Sequence, residues 1–194
     1  MKDFLSLLEL LGMLLINPRY SILFALLLVA SISDCRSYKI PNWLTFGGSA
    51  FALIYSVFIP FSPQLGFGWA LGGFALGLCF MLPLYMLGIM GAGDVKLMAM
   101  VGAFLGMTHT VYAVLFVFVT GGLAALVYAL WNRSLLRMAS NVKLSLTALL
   151  FSTMGGLRPQ MTPLDNLSVG KLPYAVSITF GTTAFLIAHQ LGYA

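Results

Sequence analysis

The chain has 194 residues, of which 60% are hydrophobic and only 8% charged. Soluble domains carry about 25% charged residues, so this composition excludes a water-soluble globular protein and points to a polytopic, all-α membrane protein. The formal charge of +5 raises the question of a nucleic-acid partner, and the positions of the cations decide against one.

Residues 4–16 are apolar apart from Glu9, and the run is too short to cross a bilayer. With 1–17 as a whole, it reads as an interfacial helix. Asn17-Pro18 then supplies a cap followed by proline at the first helical position, opening a helix that runs to about Asp34. Arg19, the leucines behind it and the small residues Ala30, Ser31 and Ser33 imitate a signal peptide, but Asp3 and Glu9 spoil its positive n-region. Arg36 to Asn42 reads as a tight polar turn, in which Pro41 forces Ile40 toward an extended conformation and can itself open the next helix.

The second helix is expected from Asn42 to Ile59, stopped by Pro60-Phe61-Ser62-Pro63. A third covers about 65–87, with Pro83 as a kink near its end. Gly88 to Gly93 forms a second polar turn. The fourth helix starts near Asp94 and ends around Met107, short enough to need shielding by its neighbours. Thr108-His109 links it to a fifth that ends near Trp131. Residues 134–151 space Arg137, Asn141 and Lys143 among leucines, as in a helix lying on the membrane surface, and 152–170 read as loop. A sixth helix spans about 172–191. All of 1–194 is thus one membrane-embedded domain: an interfacial segment (1–17), five helices (18–131), a cytoplasmic surface helix and loop (132–170) and a last helix (171–194).

If the six helices alternate, Arg36, Lys39, Lys96, Arg133, Arg137, Lys143, Arg158 and Lys171 fall on one side, and only Lys2 and Arg19 on the other. The positive-inside rule puts the first side in the cytoplasm. There the cations face anionic headgroups of the lipid bilayer, and nucleic acid is not needed to explain them. Cys35 and Cys79 lie in different segments without a C-x-x-C, which excludes a zinc ribbon or thioredoxin-like site and leaves two free thiols. His109 and His189 have no metal-ligand partner in sequence and read as structural.

Of the five acids, Asp3 and Glu9 belong to the N-terminal segment, and Asp165 reads as a turn residue. Asp34 and Asp94 alone lie at membrane-helix ends on one predicted side. An acid in a membrane helix costs roughly 2.5–3.5 kcal/mol at the centre and less near the ends. Taken singly, Asp34 is also a plausible helix stop paired with Arg36 or Lys39, and Asp94 a plausible helix N-cap. Two neighbouring acids share a proton and titrate as a unit. The ionised member can then take a proton from water while the protonated one hydrogen-bonds a peptide carbonyl. Gly91 and Gly93 are expected to allow positive φ and close backbone approach beside the acid, while Lys96 is expected to snorkel to headgroups.

Asp34-x-Arg36-x-x-x-Ile40-Pro41-Asn42, followed by Gly91-x-Gly93-Asp94-x-Lys96, resembles the type IV prepilin peptidase family of GxGD aspartic endopeptidases. The resemblance implies removal of the short basic leader of prepilins or pseudopilins after a glycine, at the cytoplasmic face of the inner membrane. It carries the two catalytic aspartates onto Asp34 and Asp94. Gly91, Gly93, Arg36, Lys39, Pro41, Asn42 and Lys96 then shape the loops or anchor the site, and no metal or cofactor is expected. The Lys171-Leu172-Pro173-Tyr174 approach to the last helix looks like the family's proline-aromatic segment, with no catalytic role assigned. The paired C-x-x-C motifs of bifunctional members are missing, so the chain is similar to the compact tight-adherence (Flp-type) branch, with no methyltransferase activity expected. An archaeal preflagellin peptidase is a close relative by the same motifs. The rivals from other classes are a small transporter or channel subunit using intramembrane acids, and a non-catalytic pilus-assembly factor.

Overall fold

Asn17 opens the first helix as its residue type demands: its side-chain Oδ1 accepts the backbone N–H of Arg19 at 3.2 Å, and Pro18 follows as the first helical residue. In the computed structural model, which describes residues 12, 17–60, 66–86, 89–131 and 173–191, this helix is α1 (Pro18–Ser37). It continues a turn past the expected stop at Asp34. Ser37 Oγ donates to Ser33 O at 2.9 Å and Ser33 Oγ to Lys39 O at 2.8 Å. Tyr38 closes the helix in the left-handed conformation (φ 49°), its N–H donating to Asp34 O at 2.8 Å. Asp34 therefore stands inside the last turn, not after it.

Five more helices follow among the described residues: α2 (Asn42–Phe58), α3 (Phe67–Met86), α4 (Ala92–Leu105), α5 (Met107–Trp131) and α6 (Tyr174–Gln190). The expected fourth-to-fifth link at Thr108-His109 is instead the single residue Gly106, whose φ of 78° and ψ of 176° suit glycine almost alone. His109 thereby joins the first turn of α5. The interfacial helix expected within 1–17, the surface helix and loop of 132–170, and residues 171–172 lie outside the described residues, Gly12 and Asn17 apart.

The chain divides into two units, 1–121 with 173–194, and 122–172. The second is described only for 122–131, the end of α5. In the first unit α4 is central: every residue from Leu97 to Leu105 is buried, the pattern of a helix enclosed on all sides. Its partner α3 packs antiparallel through small residues. A Cβ at Gly73 would collide with Gly102 O, one at Gly102 with Gly73 O, and one at Gly77 with Met98 O. Only glycine permits that approach, the means by which membrane helices associate without a hydrophobic driving force.

On its other side α4 runs parallel to α2, with Gly48 against Met100 and Phe51 stacked on Phe104 at 6.2 Å. α6 is antiparallel to α1, tied by Ser31 Oγ to Thr179 Oγ1 at 2.7 Å and by Thr179 Oγ1 donating to Leu27 O at 3.2 Å. It is also antiparallel to the start of α5, where Thr120 Oγ1 donates to Ser177 O at 3.0 Å.

Among the described residues, three helices are long and apolar enough to cross a membrane: Pro18–Ser37, Phe67–Met86 and Met107–Tyr128 within α5. Their outward faces carry exposed Leu28, Val29, Ile32, Leu71, Phe80 and Leu115, side chains that need a lipid solvent. The six crossings expected are thus met by length and composition for three. α2, α4 and α6 have 17, 14 and 17 residues, and α4 at about 1.5 Å per residue is shorter than a bilayer core.

Candidate active site

The directions of the helices bring the end of α1 and the starts of α2, α4 and α6 to one end of the first unit. The two polar turns expected from the sequence meet there in their described residues. A Cβ on Gly93 would press on the Ile40 side chain at 3.3 Å, and Lys96 Nζ donates to Asn42 Oδ1 at 3.0 Å while lying 5.0 Å from the centre of the Phe46 ring. Lys96 is therefore held by the neighbouring turn, where the sequence suggested only snorkelling. Pro41 is the N-cap of α2, and its carbonyl accepts Leu44 N–H at 3.1 Å. Arg36 and Lys39 are exposed on the rim.

Gly91 has φ −80° and ψ 156° as the N-cap of α4, and Gly93 lies within the helix. Among the described residues Gly106 is the only glycine with positive φ, so the positive φ expected at Gly91 and Gly93 does not occur. Space accounts for Gly93 instead, where a Cβ would press on Ile40 at 3.3 Å, whereas one on Gly91 would lie 3.4 Å from Asp94 Oδ2, an ordinary van der Waals contact.

Asp34 and Asp94 are 6% and 7% exposed. Asp94 is the third residue of α4, not its cap, and its Oδ2 accepts the N–H of Gly91 at 3.1 Å, the carboxylate half of a capping box. Asp34 makes the same kind of bond to another helix. Its Oδ2 accepts the N–H of Ala175 at 3.0 Å, in the first turn of α6, where the N-cap Pro173 offers no side-chain cap. Each acid thus spends one oxygen on an orphan amide at a helix N-terminus. The Oδ1 of each has no partner among the described residues.

Asp94 lies outside the three membrane-length helices. Burial pushes its carboxyl up to about 6 from 3.8; the Gly91 N–H pulls the other way, and the negative charge of Asp34 raises it further. The charge of Asp34 is thus felt at Asp94. Tyr174 completes the cluster. Burial raises its phenol above the ordinary value, and the charge of Asp94 adds to that rise. Reading the sequence flagged Pro173-Tyr174 without a role and missed Ala175. A backbone amide leaves no signature in residue type, and the uncapped proline start of α6 was the only available clue.

Cys35 and Cys79 are free thiols. Among the described residues no group of three or more His, Cys, Asp or Glu could hold a metal ion. His109 and His189, which read as structural, have ring centroids 4.6 Å apart.

The model of the type IV leader peptidase family matches residues 21–126, more than half of the chain and including both acids. No curated protein and no solved structure matches. An all-helical chain with three membrane-length helices, in which the Asp34 and Asp94 turns close on one another, belongs to the type IV leader peptidase family, and so to the proteases.

Proposed function

We propose that the protein is an aspartic endopeptidase that cleaves the leader from type IV prepilins of the Flp type, with Asp34 and Asp94 as the catalytic pair. The observation that carries this reading is the shared design of the two acids. Both are buried at one end of the bundle, each is held by a backbone N–H on Oδ2, and each has an Oδ1 with no partner among the described residues.

The chemistry follows from one proton shared by two carboxyl groups. The ionised member takes a proton from water as the water oxygen bonds to the scissile carbonyl carbon. The protonated member gives its proton to the carbonyl oxygen, forming a tetrahedral diol. The C–N bond then breaks as a proton passes from the first carboxyl to the leaving amine and one diol hydroxyl returns its proton to the second carboxylate, leaving a carboxylic acid and the pair with its one proton. Gly91 and Gly93 keep side chains out of the space beside Asp94. Pro41 and Asn42 hold the facing turn, with Lys96 bonded to Asn42. Arg36 and Lys39 meet headgroups at the membrane edge.

The excess of Lys and Arg on the acid side supports an active site facing the cytoplasm of a bacterial inner membrane. Arg19 lies at the opposite end, where its Nη2 donates to the carbonyl of Ile59, the C-cap of α2. The apolar half of a prepilin would lie in lipid against the bundle, with its leader junction in water at the acids. Co-expression with a short hydrophobic pilin tests this. Mature pilin with the wild type, and only precursor with membrane-inserted Asp34→Asn or Asp94→Asn, is the expected result. Processing that persists in both variants overturns it, and solute flux without cleavage would identify a transporter.

A further inference from the structure

At the end of the first unit away from the acids, the first turn of α5 meets the last turn of α6. His109 and His189 face each other there with ring centroids 4.6 Å apart and planes at 78°. Phe185 lies beside both, at 6.0 and 5.8 Å. His109 is half-buried and His189 exposed, so the pair lies at the surface of the first unit.

His109 Nδ1 is 3.3 Å from Leu105 O, a carbonyl at the end of α4. A carbonyl only accepts, so Nδ1 carries the proton and Nε2 the lone pair. Metal-binding imidazoles are ordinarily held this way, by a backbone oxygen on the far ring nitrogen. Neither ring nitrogen of His189 has a hydrogen-bond partner among the described residues. With metal–nitrogen bonds of about 2.0–2.1 Å, two imidazoles in neighbouring positions on one ion have centroids about 4.5–5.2 Å apart. The observed separation lies in that range.

We propose that His109 and His189 form a two-imidazole site for one borderline divalent transition ion, with water completing its coordination. The site is separate from the aspartate pair and does not depend on the peptidase reading. Two neutral nitrogen ligands select Cu²⁺ over Ni²⁺ and Zn²⁺ and disfavour Mg²⁺ and Ca²⁺. A bound ion would clamp α5 to α6 at the end opposite Ala175.

The test uses the full chain, without a polyhistidine tag, in detergent micelles. Calorimetric titration with Cu²⁺, Ni²⁺, Zn²⁺ and Mg²⁺ is expected to give one Cu²⁺ per chain, weaker Ni²⁺ and Zn²⁺, and no Mg²⁺. His109→Phe and His189→Phe, which retain a ring beside Phe185, are each expected to weaken Cu²⁺ at least tenfold, whereas Asp34→Asn leaves it unchanged. Electron paramagnetic resonance of the Cu²⁺-loaded wild type is expected to show two imidazole nitrogens, and this measurement decides even if a Phe variant misfolds. Cu²⁺ affinity unchanged in either folded Phe variant, a spectrum with fewer than two nitrogens, or no Cu²⁺ binding would each mean a ring contact only and overturn the proposal.

Discussion

Asp34 and Ala175 are 141 positions apart, yet the carboxylate of one accepts the backbone N–H of the other at 3.0 Å. The bond makes Asp34 the cap of α6, whose own N-cap, Pro173, has no side chain to offer. Oδ2 thus holds a helix, and Oδ1, without a partner among the described residues, is the oxygen that the proposed reaction would use.

Separating these two duties is the first prediction. Asp34→Asn retains an oxygen that accepts the Ala175 N–H, whereas Asp34→Ala leaves that amide uncapped, a loss of about 0.5–2 kcal/mol. Thermal unfolding in detergent should place Asp34→Asn close to wild type and Asp34→Ala clearly lower, with cleavage lost in both. Equal unfolding midpoints for the two variants would contradict the capping role.

Glycines offer a second test, because they differ in what surrounds them. A Cβ at Gly102 collides with the Gly73 carbonyl, while one at Gly47 meets nothing within 4 Å. Gly102→Ala should destabilise by about 1–3 kcal/mol, as overpacking does. Gly47→Ala should be neutral or stabilising by up to about 1 kcal/mol, from its helix preference. Unfolding midpoints of the two variants check the contrast.

The titration of Asp94 sets the pH dependence. Its carboxyl is raised to about 6, above the unfolded value of about 3.9. A raised acid pKa means the folded chain holds the proton more tightly than the unfolded one. Below about pH 4 both states are protonated and the group costs nothing. The cost of burying its charge grows as pH rises through the folded value and is complete above it. For activity, the state with one shared proton is lost on the same rise. kcat/KM for leader cleavage should therefore decline above about pH 6, and a profile flat to pH 8 would contradict this assignment.

Much of this was readable in the residues themselves. Asn17-Pro18 marked the start of α1 to the residue, and Pro41-Asn42 that of α2, because capping and proline geometry are local. Asp34 and Asp94 stood out since an acid at the end of an apolar run is costly anywhere else. Contacts between distant segments were not readable. Nothing in Ala175 announces that its amide holds Asp34, and the role of Gly93 depends on Ile40 arriving from another turn. The extra turn of α1 rests on Ser33, Ser37 and a left-handed Tyr38 acting together. His109 and His189 meet only because α5 and α6 run antiparallel in one register.

Cleavage of a purified prepilin by the purified chain in detergent, compared with Asp34→Asn and Asp94→Asn, tests the pairing of the two acids most directly. The account predicts a single cut after the leader glycine with wild type, and a rate at least a thousandfold lower in each folded variant. Either variant cutting at the wild-type rate would contradict it.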